Sequence, residues 1–118
     1  MAIIQLLTLK SLTEFDFHPT LGGTMGPVLV LFSSPTCGSC RTVEKCLPKA
    51  AEGAVTAVFK VDVQQSTGLA RAFDVFHLPA LFLFADGHFH AHLKCEITAG
   101  KLQQAIENAL AMPAEEEP

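Results

Sequence analysis

Val28-Leu29-Val30-Leu31-Phe32 is an unbroken apolar run, entered from Gly22, Gly23, Gly26 and Pro27 and left through Ser33-Ser34-Pro35-Thr36. Its length and flanking turn residues predict a strand. A strand with no polar face has to be buried on both sides, inside a sheet covered above and below. That requirement points to an α/β layer architecture with this strand at its centre. With 118 residues, 49% apolar and 17% charged, the chain has the size of one domain and enough apolar material for its core.

The rest of the chain fits around that strand. Ile3 to Leu9 reads as a first strand, and Ser11 to Leu21, with Leu12, Phe15 and Phe17, as a weakly helical or irregular segment. After Thr36, the residues Cys40, Val43, Cys46, Leu47 and Ala50 suggest one apolar helical stripe, with Pro48 a potential kink. Ala54 to Val63 reads as a strand, with Val55, Ala57 and Phe59 on one face and Val58 on the other. Gln65 to Phe73 reads as a short helix with Leu69, Ala70 and Phe73 inward. Pro79 opens the apolar run Ala80 to Phe84, and Asp86-Gly87 before His88 to Cys95 is a strong hairpin signal. Thr98 is the expected N-cap of a last helix carrying Leu102, Ala105, Ile106, Ala109 and Leu110 inward. The resulting order is a parallel crossover half followed by a hairpin half. Residues 1–112 are expected to form the domain and 113–118 a flexible acidic tail.

The net charge is −4, and Glu115, Glu116 and Glu117 supply most of the excess, so no basic face invites nucleic acid. No apolar stretch reaches the roughly 20 residues of a membrane-spanning helix, and Met1 to Leu12 lacks the basic lead and small-residue cleavage site of an export signal. A soluble, unprocessed, cytoplasmic and monomeric protein is the expectation. In such a reducing compartment four cysteines are a poor disulfide framework, which favours catalysis or metal binding for the close pair.

Cys37-Gly38-Ser39-Cys40 falls between the buried strand and the following helix. Backbone N–H groups and the positive end of a helix favour a thiolate at Cys37, the expected nucleophile. Cys40, three residues on and one helical turn away, is within disulfide reach and can resolve a mixed disulfide. Gly38 removes bulk beside the attacking sulfur, and Ser39 adds a small hydroxyl. Spacing alone leaves a zinc half-site or two inert thiols open, although no second C-x-x-C or H-x₃-H follows at finger spacing.

Three segments in order resemble the thioredoxin family across the chain to about Ala111. They are Val28 to Phe32 leading into Thr36-Cys37-Gly38-Ser39-Cys40-Arg41, then Lys60-Val61-Asp62-Val63, then Leu78-Pro79 before Ala80 to Gly87. The resemblance implies a thioredoxin fold, a central mixed sheet of about five strands flanked by about four helices. It also implies a thiol–disulfide oxidoreductase that needs no cofactor, acts on protein disulfides, and is recharged by a reductant such as a thioredoxin reductase or glutathione system. Pro79 is then the cis proline opposite the cysteines, and the Leu78 backbone pairs with a bound partner. Thr36, Gly38 and Ser39 would border that partner too. Thr36 stands where the family usually has tryptophan, and Ser39 where it usually has proline. Leu31 and Val58 stand where it carries a buried aspartate and its lysine partner, so the resemblance implies that proton transfer at Cys40 is slower or served by another group.

Of the other cysteines, Cys46 is expected to be a small buried hydrophobe, too far from Cys40 for a disulfide. Cys95 aligns with a glycine bordering the family's active-site surface, where a third thiol would be a simple substitution, a regulatory site or a resolving cysteine. His88, His90 and His92 alternate, so all three are expected on one solvated strand face, parallel rather than converging on a metal. His77 lies close to Pro79. Two rivals follow: a metal- or cluster-handling protein using Cys37 and Cys40 with Cys95 or the histidines, and an interaction module with vestigial cysteines.

Overall fold

The computed structural model describes residues 7–118. Its elements are β1 (Leu9–Leu12), α1 (Phe17–Gly22), β2 (Pro27–Ser33), α2 (Gly38–Ala50), β3 (Ala57–Asp62), α3 (Thr67–Ala72), β4 (Ala80–Ala85), β5 (His88–Leu93) and α4 (Ala99–Ala111). The sheet order is β1-β3-β2-β4-β5. The first three are parallel, and the last two run antiparallel to their neighbours. This is the five-stranded mixed sheet with four helices that the resemblance implied.

β2 is the central strand, and its alternate residues build two cores. Val28, Val30 and Phe32 point to one face, where they meet Phe17 and Leu21 of α1, Leu69 of α3, and Phe73. Leu29 and Leu31 point to the other, against Leu47 and Ala50 of α2 and Leu102 and Ile106 of α4. The buried run Val28 to Phe32 thus has the two-sided environment that its lack of polar residues demands.

Several local expectations are corrected. The first strand pairs with β3 over Leu9 to Leu12, later than the apolar run suggested, and residues 3–6 lie outside the described residues. Phe15 is exposed in the loop before α1. Val55 precedes β3, out of its alternation, and packs with Val58 rather than with Phe59. Cys46 is exposed: six residues at 100° each carry it well round the helix from Cys40, off the buried stripe. Leu110 is 40% exposed near the end of α4. α2 runs through Pro48 without a break in the assigned helix.

The histidines do not share a face. Leu83 faces Ala91 and Phe84 faces Phe89, so β5 carries one extra residue at His90, a β-bulge that reverses the alternation. His92 therefore stacks on Phe82, with ring centroids 4.6 Å apart, and His90 Nε2 meets the Ala109 carbonyl of α4 at 2.6 Å.

Two termini of elements follow their sequence signals. Thr98 caps α4 by accepting a hydrogen bond from Lys101 N–H. The β4–β5 turn has positive φ at Asp86 (50°) and Gly87 (84°), the geometry an Asp-Gly hairpin adopts. Beyond α4 the chain returns along β5, where Glu115 N–H donates to the His90 carbonyl at 2.7 Å and its carboxylate accepts from His92 N–H. No helix among the described residues is long and apolar enough to cross a membrane.

Candidate active site

The C-terminal ends of β2 and β3 lie side by side, and the chain leaves β2 through Ser34-Pro35-Thr36 to start α2. Cys37 occupies the N-cap of that helix with extended backbone angles, and its sulfur accepts the Cys40 N–H at 3.2 Å. Ser39 Oγ lies 3.4 Å from the same sulfur. One helix-terminal N–H, that of Cys40, thus points at Cys37 Sγ from the positive end of α2, an arrangement that favours a thiolate there. Cys37 and Cys40 are joined as a disulfide, with Cα atoms 5.2 Å apart. The pair is asymmetric: Cys37 is partly exposed, while Cys40 is 0% exposed under the first turn of α2.

Thr36 sits on the surface beside Cys37, and its hydroxyl is held 3.0 Å from Ser34 Oγ. Gln64, from the loop after β3, donates to Ser34 Oγ at 3.1 Å and reaches Thr36 Oγ1. This polar network ties the entry to the cysteine turn to the end of β3. Gly38 and Ser39 are exposed, and a Cβ added at Gly38 would meet nothing within 4 Å. Open space at Gly38 keeps approach to Cys37 free.

The Leu78–Pro79 peptide bond is cis. The Leu78 side chain packs against the aromatic core. Beside Pro79 opens a mainly apolar groove of about 580 Å³ lined by Val43, Phe76, His77, Pro79, Cys95 and Ile97, among others. Phe76 is 82% exposed on its rim. The structure therefore brings Cys95 and Pro79 to one groove, and Cys37 is not among its lining residues. Burial pushes the Cys95 thiol up from its ordinary value, which keeps it protonated rather than nucleophilic. His92 also lines the groove. Burial lowers its pKa first, Lys94 lowers it further, and Glu115 partly opposes them. Among the described residues no group of three or more His, Cys, Asp or Glu side chains could hold a metal ion.

The family model described as Thioredoxin matches residues 8–108. The chain belongs to the thioredoxin family. Among its relatives, thioredoxin Y2, chloroplastic, of Arabidopsis thaliana is 31% identical over 103 residues, 86% of this chain and 62% of that protein. Thioredoxin of Mycolicibacterium smegmatis is 33% identical over 81 residues, 65% of this chain and 72% of that protein. The chain thus spans less than two thirds of the length of its chloroplastic relatives. The thioredoxin fold is shared with human ERp44 in its zinc-bound form, with a TM-score of 0.73 at 18% identity over 86% of this chain and 32% of that one.

One part of this thioredoxin-family site differs from its sequence reading. Leu31 is indeed apolar, but its register partner on β3 is Lys60, not Val58, which pairs with Leu29. A cation therefore does stand beside Leu31. Its anion comes from the helix: Glu44 of α2 accepts from Lys60 Nζ and from Ser33 Oγ, each at 3.2 Å. Sequence reasoning missed Glu44, although its position four residues after Cys40 was a usable signal. It also missed Gln64 and Ser34, whose partnership depends on the adjacency of β2 and β3 and has no local signature.

Proposed function

We propose that this domain is a thiol–disulfide oxidoreductase that reduces or exchanges protein disulfides through Cys37 and Cys40. One observation carries the reading: a partly exposed cysteine at a helix N-cap, its sulfur accepting the Cys40 backbone N–H, is joined to a buried second cysteine. The Cys37 thiolate attacks one sulfur of a partner disulfide, forming a mixed disulfide and expelling the other partner sulfur as a thiolate. Cys40, deprotonated, then attacks Cys37 Sγ. The bond to the partner breaks, its second sulfur leaves as a thiolate and takes up a proton, and Cys37–Cys40 carries the oxidation. Two electrons have passed to the partner, and a thioredoxin reductase or glutathione system returns them.

The Leu78 backbone beside cis-Pro79 is suited to pair with an extended partner segment, as edge-strand addition requires. Thr36, Gly38 and Ser39 would flank that segment on one side, and Cys95 and the apolar groove on the other. Two features support action in the cytoplasm: Cys46 and Cys95 are free thiols, and Cys46 is exposed. Monomeric action is supported by the scatter of large exposed apolar residues, Phe15, Met25, Phe76, Leu110 and Met112, over loops and the end of α4.

The test is the equilibrium between dithiol and disulfide in a glutathione or dithiothreitol buffer series, read by mass spectrometry after alkylation, with Cys37→Ser as control. A reversible two-electron transition at about −270 to −200 mV is expected. Absence of a reversible Cys37–Cys40 disulfide in metal-free protein would overturn the proposal.

A further inference from the structure

We infer that Glu44 is the acid–base group that serves Cys40, taking its proton when it resolves a mixed disulfide and returning it when the pair is reduced. This rests on the exchange reading above and adds a residue to it.

The need follows from the site. Cys40 is 0% exposed, yet only its thiolate can attack Cys37 Sγ, so its proton must pass to an acceptor close to α2. Leu29 and Leu31, on the sheet face beneath the helix, have no acid–base chemistry. Glu44 lies four residues after Cys40, so the two side chains stand on neighbouring turns of one helix face. Its side chain is only 23% exposed, and it is anchored rather than free. Lys60 Nζ and Ser33 Oγ both donate to Oε1, and Oε2 takes no partner among the described residues. One carboxylate oxygen is thus fixed while the other remains open to a proton.

The surroundings suit proton traffic. Glu44 lines a polar cavity of about 370 Å³ with Ser33, Pro35, Arg41, Lys60 and Asp62, the residues flanking the start of α2. The charged groups facing Glu44 there are Arg41 from its own helix and Lys60 and Asp62 from β3. On the opposite flank of α2, where Val43 lines the apolar groove, stand Asp74, His77, His92, Lys94, Cys95 and Glu96. His77 is the competing acceptor from that side.

The step balances. The Cys40 thiol gives its proton to the Glu44 carboxylate, and the thiolate bonds to Cys37 Sγ. The bond from Cys37 to the partner breaks with its electron pair on the leaving sulfur. In the reverse direction neutral Glu44 reprotonates Cys40.

The experiment follows the mixed disulfide formed between Cys37 and oxidised glutathione. Acid quenching, alkylation and peptide mass mapping from pH 5.5 to 9 give its rate of formation, which belongs to Cys37, and its lifetime, which belongs to Cys40. Glu44→Gln is expected to lengthen the lifetime about tenfold or more near neutral pH, with formation unchanged and the difference shrinking toward pH 9 as hydroxide replaces the lost base. Glu44→Asp is expected to recover part of the rate. Equal lifetimes in wild type and Glu44→Gln across the range would overturn the inference. So would a lengthened lifetime in His77→Gln with none in Glu44→Gln. A wild-type protein that forms no resolvable mixed disulfide at Cys37 would instead overturn the exchange reading itself.

Discussion

The two faces of the central sheet are built from different material. Toward α1 and α3, seven of the nine phenylalanines gather in one cluster, with Phe73 edge-on or tilted against Phe17, Phe32, Phe82, Phe84 and Phe89. Toward α2 and α4 the core contains leucine, valine, alanine and isoleucine and no aromatic ring. Cys37, Cys40 and Glu44 sit in the first turns of α2, the helix that packs on this aliphatic face, with Ser33 and Lys60 bonded to Glu44. The aromatic face buries large rings, with the His92 imidazole stacked on its Phe82, and contributes rigidity. The aliphatic face gives up some of that packing to admit a buried thiol and a charged cluster at one end.

The largest effect expected from this division is on stability. Phe73→Ala removes the ring at the centre of the aromatic cluster and should cost about 3–5 kcal/mol in urea unfolding, while the Cys37–Cys40 potential measured on folded protein stays at the wild-type value. Leu31→Ala, on the other face, should cost about 2–5 kcal/mol and also change the lifetime of the Cys37 mixed disulfide, because Leu31 is the register partner of Lys60. If both substitutions left that lifetime unchanged, or both altered it equally, the faces would not differ in function. A smaller loss, about 1 kcal/mol, is expected for Thr98→Ala, which removes the cap of α4 without touching either the aromatic cluster or the cysteines.

The contrast between faces also explains what the sequence made legible. β2 could be read because its apolar run is complete, and both faces of the sheet follow from it. The hairpin and the α4 cap could be read because Asp86-Gly87 and Thr98 act within a few residues of themselves. β1 could not, since Leu9 to Leu12 carry little apolar signal and owe their strand to pairing with Val58 to Val61. The bulge at His90 was hidden because His88 to Leu93 alternates perfectly in sequence, and only pairing with β4 reveals the extra residue. At the site, Cys37 and Cys40 announce themselves by spacing. Gln64 and Lys60 meet their partners across strands and helices with nothing local to mark those meetings, and Glu44 carried only its spacing of four from Cys40.

His92 gives the finest probe of the boundary between the faces, since the bulge turns it onto Phe82 of the aromatic core while its backbone binds Glu115 of the tail. Burial and Lys94 lower its pKa below the ordinary value of about 6.5, against the opposing charge of Glu115. The folded protein therefore disfavours the imidazolium relative to the unfolded chain. Between the lowered pKa and about pH 6.5 the unfolded state binds more protons, so stability falls as pH drops through that window and is recovered above it. Glu115→Gln removes the one charge that favours the imidazolium and should lower the His92 midpoint further in an NMR titration. Lys94→Gln should raise it. An unchanged His92 midpoint in Glu115→Gln would mean that the tail does not lie along β5, leaving His92 to report the sheet face alone.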